Sequence, residues 1–145
     1  MLCHVLLGRP ESVTGLGLRT GLKPDLALED NAILILNYGD AVGVNEASWT
    51  QIGKLTSYST TIYGSEGTLH VEPNHEGKLW QATLANESGW VVDLPEQPDH
   101  LEAASKHFIA AIENPELEIH SLCDAQQGAG AQAILQAGLD ACEGL

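Results

Sequence analysis

The pattern of hydrophobic and polar positions changes once along the chain, from a period of two to a period near 3.6. Up to Asp93, short runs rich in β-branched and aromatic residues alternate with glycine- and proline-containing turns, which predicts strands. Beyond Asp99 the apolar residues recur every three to four positions, which predicts helices. Strands followed by helices indicate an α+β fold, with a largely antiparallel open sheet of about six strands and helices packed on one face.

Residues 61–71 predict two strands joined by a tight turn, because β-branched and aromatic residues fill both arms around a glycine-flanked Ser65-Glu66 pair. If Gly64 lies opposite Gly67, the hairpin has one apolar side and one mixed side. The glycines then supply a positive φ or a close backbone approach. The cross-strand pairs expected in this register are Ile62–Leu69, Tyr63–Thr68 and Thr61–His70.

The other elements surround this hairpin. Met1 to Leu7 predict the end of a helix, with Gly8 as its C-terminal cap. Residues 31–38 are apolar at consecutive positions, so we expect both faces of this strand to be covered. Further strands are predicted at 12–19, 42–49, 56–63, 78–84 and 89–93.

Two helices are predicted after the strands, the first from Asp99 and the second near Asp124, both within capping-box patterns. Gly128 and Gly130 in the second helix cost about 1 kcal/mol each relative to alanine. Close packing or a kink would explain these glycines. The expected apolar faces are Leu101, Ala104, Phe108 and Ile112 in the first helix, and Ala131, Leu135, Leu139 and Cys142 in the second.

Composition narrows the class of protein. The chain has 145 residues, which predicts a single domain over residues 1–145. Six Lys and Arg against twenty Asp and Glu give a formal net charge of −14, which argues against nucleic acid and anionic membranes as partners. No apolar run is long enough to span a membrane. The three cysteines form no C-x-x-C motif and no even-numbered framework, so we expect reduced thiols in a cytoplasmic protein.

Aromatic residues mark a candidate interaction surface. If the predicted registers hold, Trp49, Tyr63, His70 and Trp80 share the sheet face that the helices leave uncovered. An aromatic face of mixed polarity is typical of an oligomer or domain interface. The alternative is a solvated sheet with scattered aromatic residues. The interface interpretation is favoured because such patches are seldom left bare.

No group of residues has the spacing of a catalytic, cofactor-binding or metal site. The run from Gly15 to Gly21 places its third glycine one position late and precedes no helix, so it does not fit the dinucleotide fingerprint. His100 and His107 are two helical turns apart but lack the third ligand of a catalytic zinc. Ser65 lies in a hairpin rather than at a strand-to-helix elbow. We therefore predict no catalytic, cofactor-binding or metal-ligating residue.

Several stretches carry a family resemblance: Leu6-Leu7-Gly8-x-Pro10, Glu29-Asp30-Asn31-Ala32, Ala47-Ser48-Trp49, Tyr63-Gly64-Ser65-Glu66-Gly67-Thr68-Leu69 and His107-Phe108-Ile109-Ala110-Ala111-Ile112. In order and spacing they resemble the C-terminal domain of the Gfo/Idh/MocA oxidoreductases, the glucose–fructose oxidoreductase and inositol dehydrogenase family. The resemblance covers nearly the whole chain.

The resemblance implies a two-domain enzyme. In that family an N-terminal Rossmann domain binds NAD or NADP and carries a Glu-Lys-Pro motif with a catalytic lysine. An aspartate and a histidine in an Asp-x-x-x-His pattern act at the helix between the domains. The C-terminal domain presents an open sheet that closes the substrate site and builds dimers or tetramers.

This sequence departs from the family pattern, since it has no Rossmann fingerprint and no Glu-Lys-Pro, and the Asp-x-x-x-His residues would fall before Met1. We therefore expect the C-terminal substrate-binding and oligomerisation domain of an NAD(P)-dependent oxidoreductase acting on a sugar, cyclitol or similar polyol. We expect it to bind no cofactor and to be inactive alone. Its expected partners are further copies, through the sheet face, and a missing or separate Rossmann domain.

Two alternatives from other classes stay open. One is a stand-alone binding or assembly module that uses the aromatic sheet face. The other is an unrelated small α+β enzyme with a pocket between its sheet and helices, which the lack of convergent polar residues disfavours.

Overall fold

Seven strands and three helices are described in the computed structural model, which covers residues 2–19, 29–52, 58–71, 79–92, 100–117 and 124–143. In chain order they are α1 (Leu2–Leu7), β1 (Ser12–Leu18), β2 (Asn31–Asn37), β3 (Val42–Ser48), β4 (Thr60–Tyr63), β5 (Gly67–Val71), β6 (Leu79–Thr83), β7 (Asn86–Val92), α2 (His100–Glu113) and α3 (Ala125–Glu143).

The chain divides into a first unit, residues 1–51 with 116–145, and a second unit, residues 52–115. The first unit holds a three-stranded sheet in the order β1-β2-β3, and the second a four-stranded sheet in the order β4-β5-β6-β7. Every described strand pair is antiparallel. The predicted α+β class and antiparallel pairing are confirmed, with the strands in two hydrogen-bonded sheets.

Helix α1 ends where the sequence predicts. The Gly8 N–H donates to the His4 carbonyl at 2.9 Å, and Gly8 adopts a φ of 77°, a left-handed conformation that glycine accepts without strain. His4 is buried, and its Nδ1 donates to the Gly8 carbonyl at 2.9 Å. This bond holds the imidazole against the helix end.

Helix α3 packs on the first sheet through small residues. Gly15 on β1 meets Gly138 on α3 so closely that a Cβ on Gly15 would lie 2.5 Å from the Gly138 carbonyl oxygen. Leu34, on the central strand, fills the space beside Gly138. Leu36 is fully buried and Ile134 is 3% exposed, so the core of this unit lies between α3 and the sheet.

The inward stripe of α3 differs from the predicted one. Gly130, Ile134 and Gly138 face inward at intervals of four residues, whereas Leu135 and Leu139 remain 43% and 48% exposed. The prediction that Leu135 and Leu139 lie on the covered apolar face is therefore wrong. Glycine lets the helix backbone approach β1, and this approach selects the glycine-bearing side of the helix.

The central hairpin has the predicted register. Ile62 pairs with Leu69, and the backbones of Gly64 and Gly67 exchange hydrogen bonds of 2.8 and 3.4 Å. Of the two roles expected for the glycines, close approach applies at Gly67, because a Cβ there would collide with the Ala82 carbonyl on β6.

Among the described residues, none of the helices combines the length and the apolar character that a membrane span requires.

Helix starts are described in part. Asp124 caps α3, since its Oδ1 accepts the Gln127 N–H at 2.7 Å. The other predicted start, Asp99, lies outside the described residues. On α2, Lys106 and Glu102 form an exposed ion pair at 2.6 Å.

Candidate functional site

The four aromatic or imidazole side chains predicted to form an interface belong to two units. Tyr63, His70 and Trp80 lie on one face of the second sheet, because His70 pairs with Thr61 on β4 and with Trp80 on β6. Trp49 follows β3 in the first unit and is 70% exposed. The structure therefore brings three of the four residues together on one sheet face.

These three side chains differ in how accessible they are. Tyr63 is 84% exposed. His70 is half-buried, and its Nδ1 is hydrogen-bonded to Thr61 Oγ1 at 2.8 Å. The indole of Trp80 covers Gly89 on the neighbouring strand, where a Cβ would collide with the ring. Trp80 therefore has a packing role inside the sheet, and Tyr63 is the side chain that this face presents to solvent.

The first sheet carries an exposed apolar surface that sequence reasoning missed. Its α3-covered face holds Leu34 and Leu36, while the opposite face, here called the open face, is exposed. Its twelve residues form four cross-strand rows: Ser12–Asn37–Val42, Thr14–Ile35–Val44, Leu16–Ile33–Glu46 and Leu18–Asn31–Ser48.

Six of these twelve residues are aliphatic and each is at least 39% exposed, with Val42 at 65%. They form a diagonal stripe from Leu18 through Ile33 and Ile35 to Val42, about 10 Å across the strands and about 20 Å along them. A contiguous exposed apolar stripe is a common feature of interaction surfaces. Among the twelve, Glu46 is the one charged residue.

The expectation that both faces of residues 31–38 are covered is therefore wrong for Ile33 and Ile35, which are 39% and 45% exposed. The signal that would have located the open face lies on β1. Gly15 and Gly17 alternate with Leu16 and Leu18, so the strand must turn its leucines away from the helix that the glycines admit.

Other candidate chemistry is absent from the described residues. No group of three or more His, Cys, Asp or Glu side chains there is arranged to hold a metal ion. Gly15 and Gly17 lie inside β1, where a Cβ on either would meet Cys142 or Glu29, so these two glycines are packed in a strand rather than in a phosphate-binding loop. Cys3 and Cys142 are free thiols.

One open depression, of about 660 Å³, lies beside the hairpin turn of the second sheet. It is lined by residues 64–69 and 81–85 with Ile62, and Glu66 is the one ionisable residue among these. A single exposed carboxylate supplies no acid–base pair in this depression.

Comparison with known proteins agrees with the fold. Residues 2–144 match the family model described as the oxidoreductase family, C-terminal alpha/beta domain. No curated protein sequence matches the chain.

Three solved structures illustrate the similarity. An oxidoreductase from Agrobacterium radiobacter in complex with NAD+, L-tartaric acid and magnesium has a TM-score of 0.76 at 15% identity, over 98% of this chain and 44% of that one. Levoglucosan dehydrogenase in complex with NADH and levoglucosan has a TM-score of 0.74 at 16% identity, over 98% and 45%. The WlbA dehydrogenase from Bordetella pertussis, in complex with NADH and UDP-GlcNAcA, has a TM-score of 0.67 at 19% identity, over 98% and 40%.

At these identities the structures establish a shared fold. The chain spans less than half the length of each of them.

Proposed function

The chain belongs to the Gfo/Idh/MocA oxidoreductase family, as its C-terminal alpha/beta domain, and on that premise we propose that it is the substrate-binding and oligomerisation domain of an NAD(P)-dependent oxidoreductase. The parent reaction would be hydride transfer between the nicotinamide and a hydroxyl-bearing carbon of a sugar, cyclitol or similar polyol. Two solved structures of this fold support that substrate class, since one contains levoglucosan and the other UDP-GlcNAcA.

The coding DNA upstream of Met1 tests this assignment. An in-frame continuation that encodes a glycine-rich dinucleotide fingerprint, a Glu-Lys-Pro motif and an Asp-x-x-x-His pattern is the expected result. A stop codon there would favour the alternative, a stand-alone assembly module that recruits a separate cofactor-bearing subunit. The free thiols Cys3 and Cys142 support a reducing compartment, for which we propose the cytoplasm.

By itself this domain can self-associate. The observation that supports this role is the exposed open face of the first sheet. Its aliphatic stripe is exposed in the single chain, and covering it would stabilise an assembly by roughly 25 cal/mol per Å² of apolar surface. The surface also suits a strongly acidic chain. Two copies with a formal charge of −14 each repel one another. Contact through the open face reduces this repulsion, because Glu46 is the one charged residue that each copy has on that face.

A charge placed in the centre of the stripe tests this role. Ile33→Glu would leave a carboxylate unpaired between two apolar surfaces, so we expect the variant to sediment as a monomer at concentrations where the natural chain is a dimer or larger. Gln132→Glu, on the exposed side of α3, adds the same charge elsewhere and should leave the mass unchanged. Far-ultraviolet circular dichroism of both variants should match the natural chain.

The second-sheet face that carries Tyr63, His70 and Trp80 remains a second proposed contact surface, and Trp49, in the first unit, is a separate candidate. Tyr63→Glu tests this second-sheet face in the way that Ile33→Glu tests the open face. Tyr63 is chosen because it is exposed, whereas Trp80 is needed to cover Gly89. Dissociation by Tyr63→Glu together with an unchanged mass for Ile33→Glu would move the interface to the second sheet and contradict the role of the open face.

A further inference from the structure

The apolar stripe of the open face divides its polar residues into two flanks of different charge. One flank is neutral and consists of Ser12, Thr14 and Asn37; the other contains Asn31, Glu46 and Ser48. A straight stripe matches a second copy of itself, because a two-fold axis in the plane between two stacked faces returns a line onto itself. The surface therefore favours another copy of this chain as its occupant.

Two such axes exist, and they differ in what meets Glu46. An axis along the stripe lays each flank over the opposite flank of the second copy, so Glu46 lies over Thr14 of the second copy. An axis across the stripe lays each flank over its own equivalent, so the Glu46 carboxylates of the two copies face each other. Both arrangements cover the aliphatic residues equally, and burial alone does not choose between them.

We propose that Glu46 sets the orientation in which two copies pair, by excluding the axis across the stripe and accepting a hydrogen bond from Thr14 Oγ1 of the second copy. This inference rests on the proposed self-association through the open face. Two like charges that face each other in a partly desolvated interface are strongly unfavourable. A hydroxyl opposite a carboxylate is favourable, because the hydroxyl donates a hydrogen bond to the carboxylate. Among the twelve residues of the face there is no Lys, Arg or His to neutralise Glu46.

Within one copy Glu46 does not interact with Thr14. They lie on the two outer strands of the sheet and in adjacent rows, about 12 Å apart. Substitutions at that separation normally have additive effects on the stability of a single chain. Energetic coupling between these two positions in the dissociation constant would therefore report a contact between copies.

A charge-reversal cycle tests the proposal, with dissociation constants from sedimentation equilibrium for Thr14→Glu, Glu46→Lys and the double variant. With the axis along the stripe, Thr14→Glu places its new carboxylate opposite Glu46 of the second copy. The repulsion should raise the dissociation constant roughly tenfold or more. The double variant places a lysine opposite each new glutamate, so it should pair at least as tightly as the natural chain. Raising the salt concentration should reduce this rescue.

If the double variant pairs no better than Thr14→Glu, the copies use another orientation and the role of Glu46 is wrong. That failure is separable from failure of the proposed function. Dissociation by Ile33→Glu without rescue in the double variant would keep the open face as the interface and overturn the orientation alone. A natural chain that is monomeric, or one that Ile33→Glu does not dissociate, would overturn both.

Discussion

At the scale of single residues, Tyr38 is one of three described side chains with a buried polar atom that lacks a hydrogen-bond partner. It follows β2, its hydroxyl is buried, and that hydroxyl has no hydrogen-bond partner among the described residues. Burial raises the pKa of Tyr38 above its ordinary value near 10, and the neighbouring Cys3 thiol adds to the rise because two anions there would repel. The neutral phenol is therefore favoured in the folded chain.

This shift predicts how stability depends on alkaline pH. Because the folded pKa is raised, the contribution of Tyr38 to stability is present below about pH 10 and is lost as the pH rises through the folded pKa. In an ultraviolet titration, Tyr38 should ionise later than an ordinary tyrosine, as a late component. Tyr38→Phe should remove the late component, cost little stability at neutral pH and improve resistance to alkaline unfolding.

Tyr63→Phe is the control for that titration, since it removes an exposed hydroxyl. It should retain the late component of Tyr38 and leave alkaline unfolding unchanged. If the late component survives in Tyr38→Phe, the buried phenol has been assigned to the wrong residue.

At the scale of elements, the packing of α3 depends on close contacts at its glycines. A Cβ on Gly130 would collide with the imidazole of His4, the buried residue of α1, while a Cβ on Gly128 would meet nothing within 4 Å. The two glycines lie two residues apart in one unbroken helix, from Ala125 to Glu143. Close packing therefore explains Gly130, and Gly128 has no packing role.

This contrast predicts opposite effects of one substitution. Gly130→Ala should lower the free energy of unfolding by about 1–3 kcal/mol, because the His4 ring must move. Gly128→Ala should raise it by up to about 1 kcal/mol, because alanine favours the helix and the site is open. Urea unfolding midpoints of the two variants measure the difference. Equal shifts of the same sign would mean that α1 does not pack on α3 at Gly130.

The same elements show what sequence could and could not predict. The hairpin register followed from local residues, because the glycines and the alternation at Ile62 and Leu69 fix it within one short stretch. The inward side of α3 did not, because it depends on Gly15, more than a hundred residues earlier in the chain. The exposure of Ile33 and Ile35 also could not be predicted from the apolar content of β2, because it depends on which face of the sheet the distant helix α3 covers. Periodicity identifies apolar positions, and distant segments decide which of them are covered.

At the scale of the whole molecule, charge and exposed surface together favour assembly through one face. The chain carries a formal charge of −14, yet the open face of the first sheet has one charged residue among twelve. A high net charge generally favours solubility, and the aliphatic stripe is exposed in the single chain. The candidate interface residues expected from sequence were aromatic, whereas the exposed stripe of the open face is aliphatic and lies on glycine-containing β1 and its neighbours.

The most direct test of this account is the mass of the natural chain by sedimentation equilibrium over a wide concentration series. We predict that the mass rises with concentration from 15.4 kDa toward that of two chains or more, because burying the open face requires another copy. A mass of 15.4 kDa at every concentration would contradict the account, and the exposed stripe would then require a partner other than this chain.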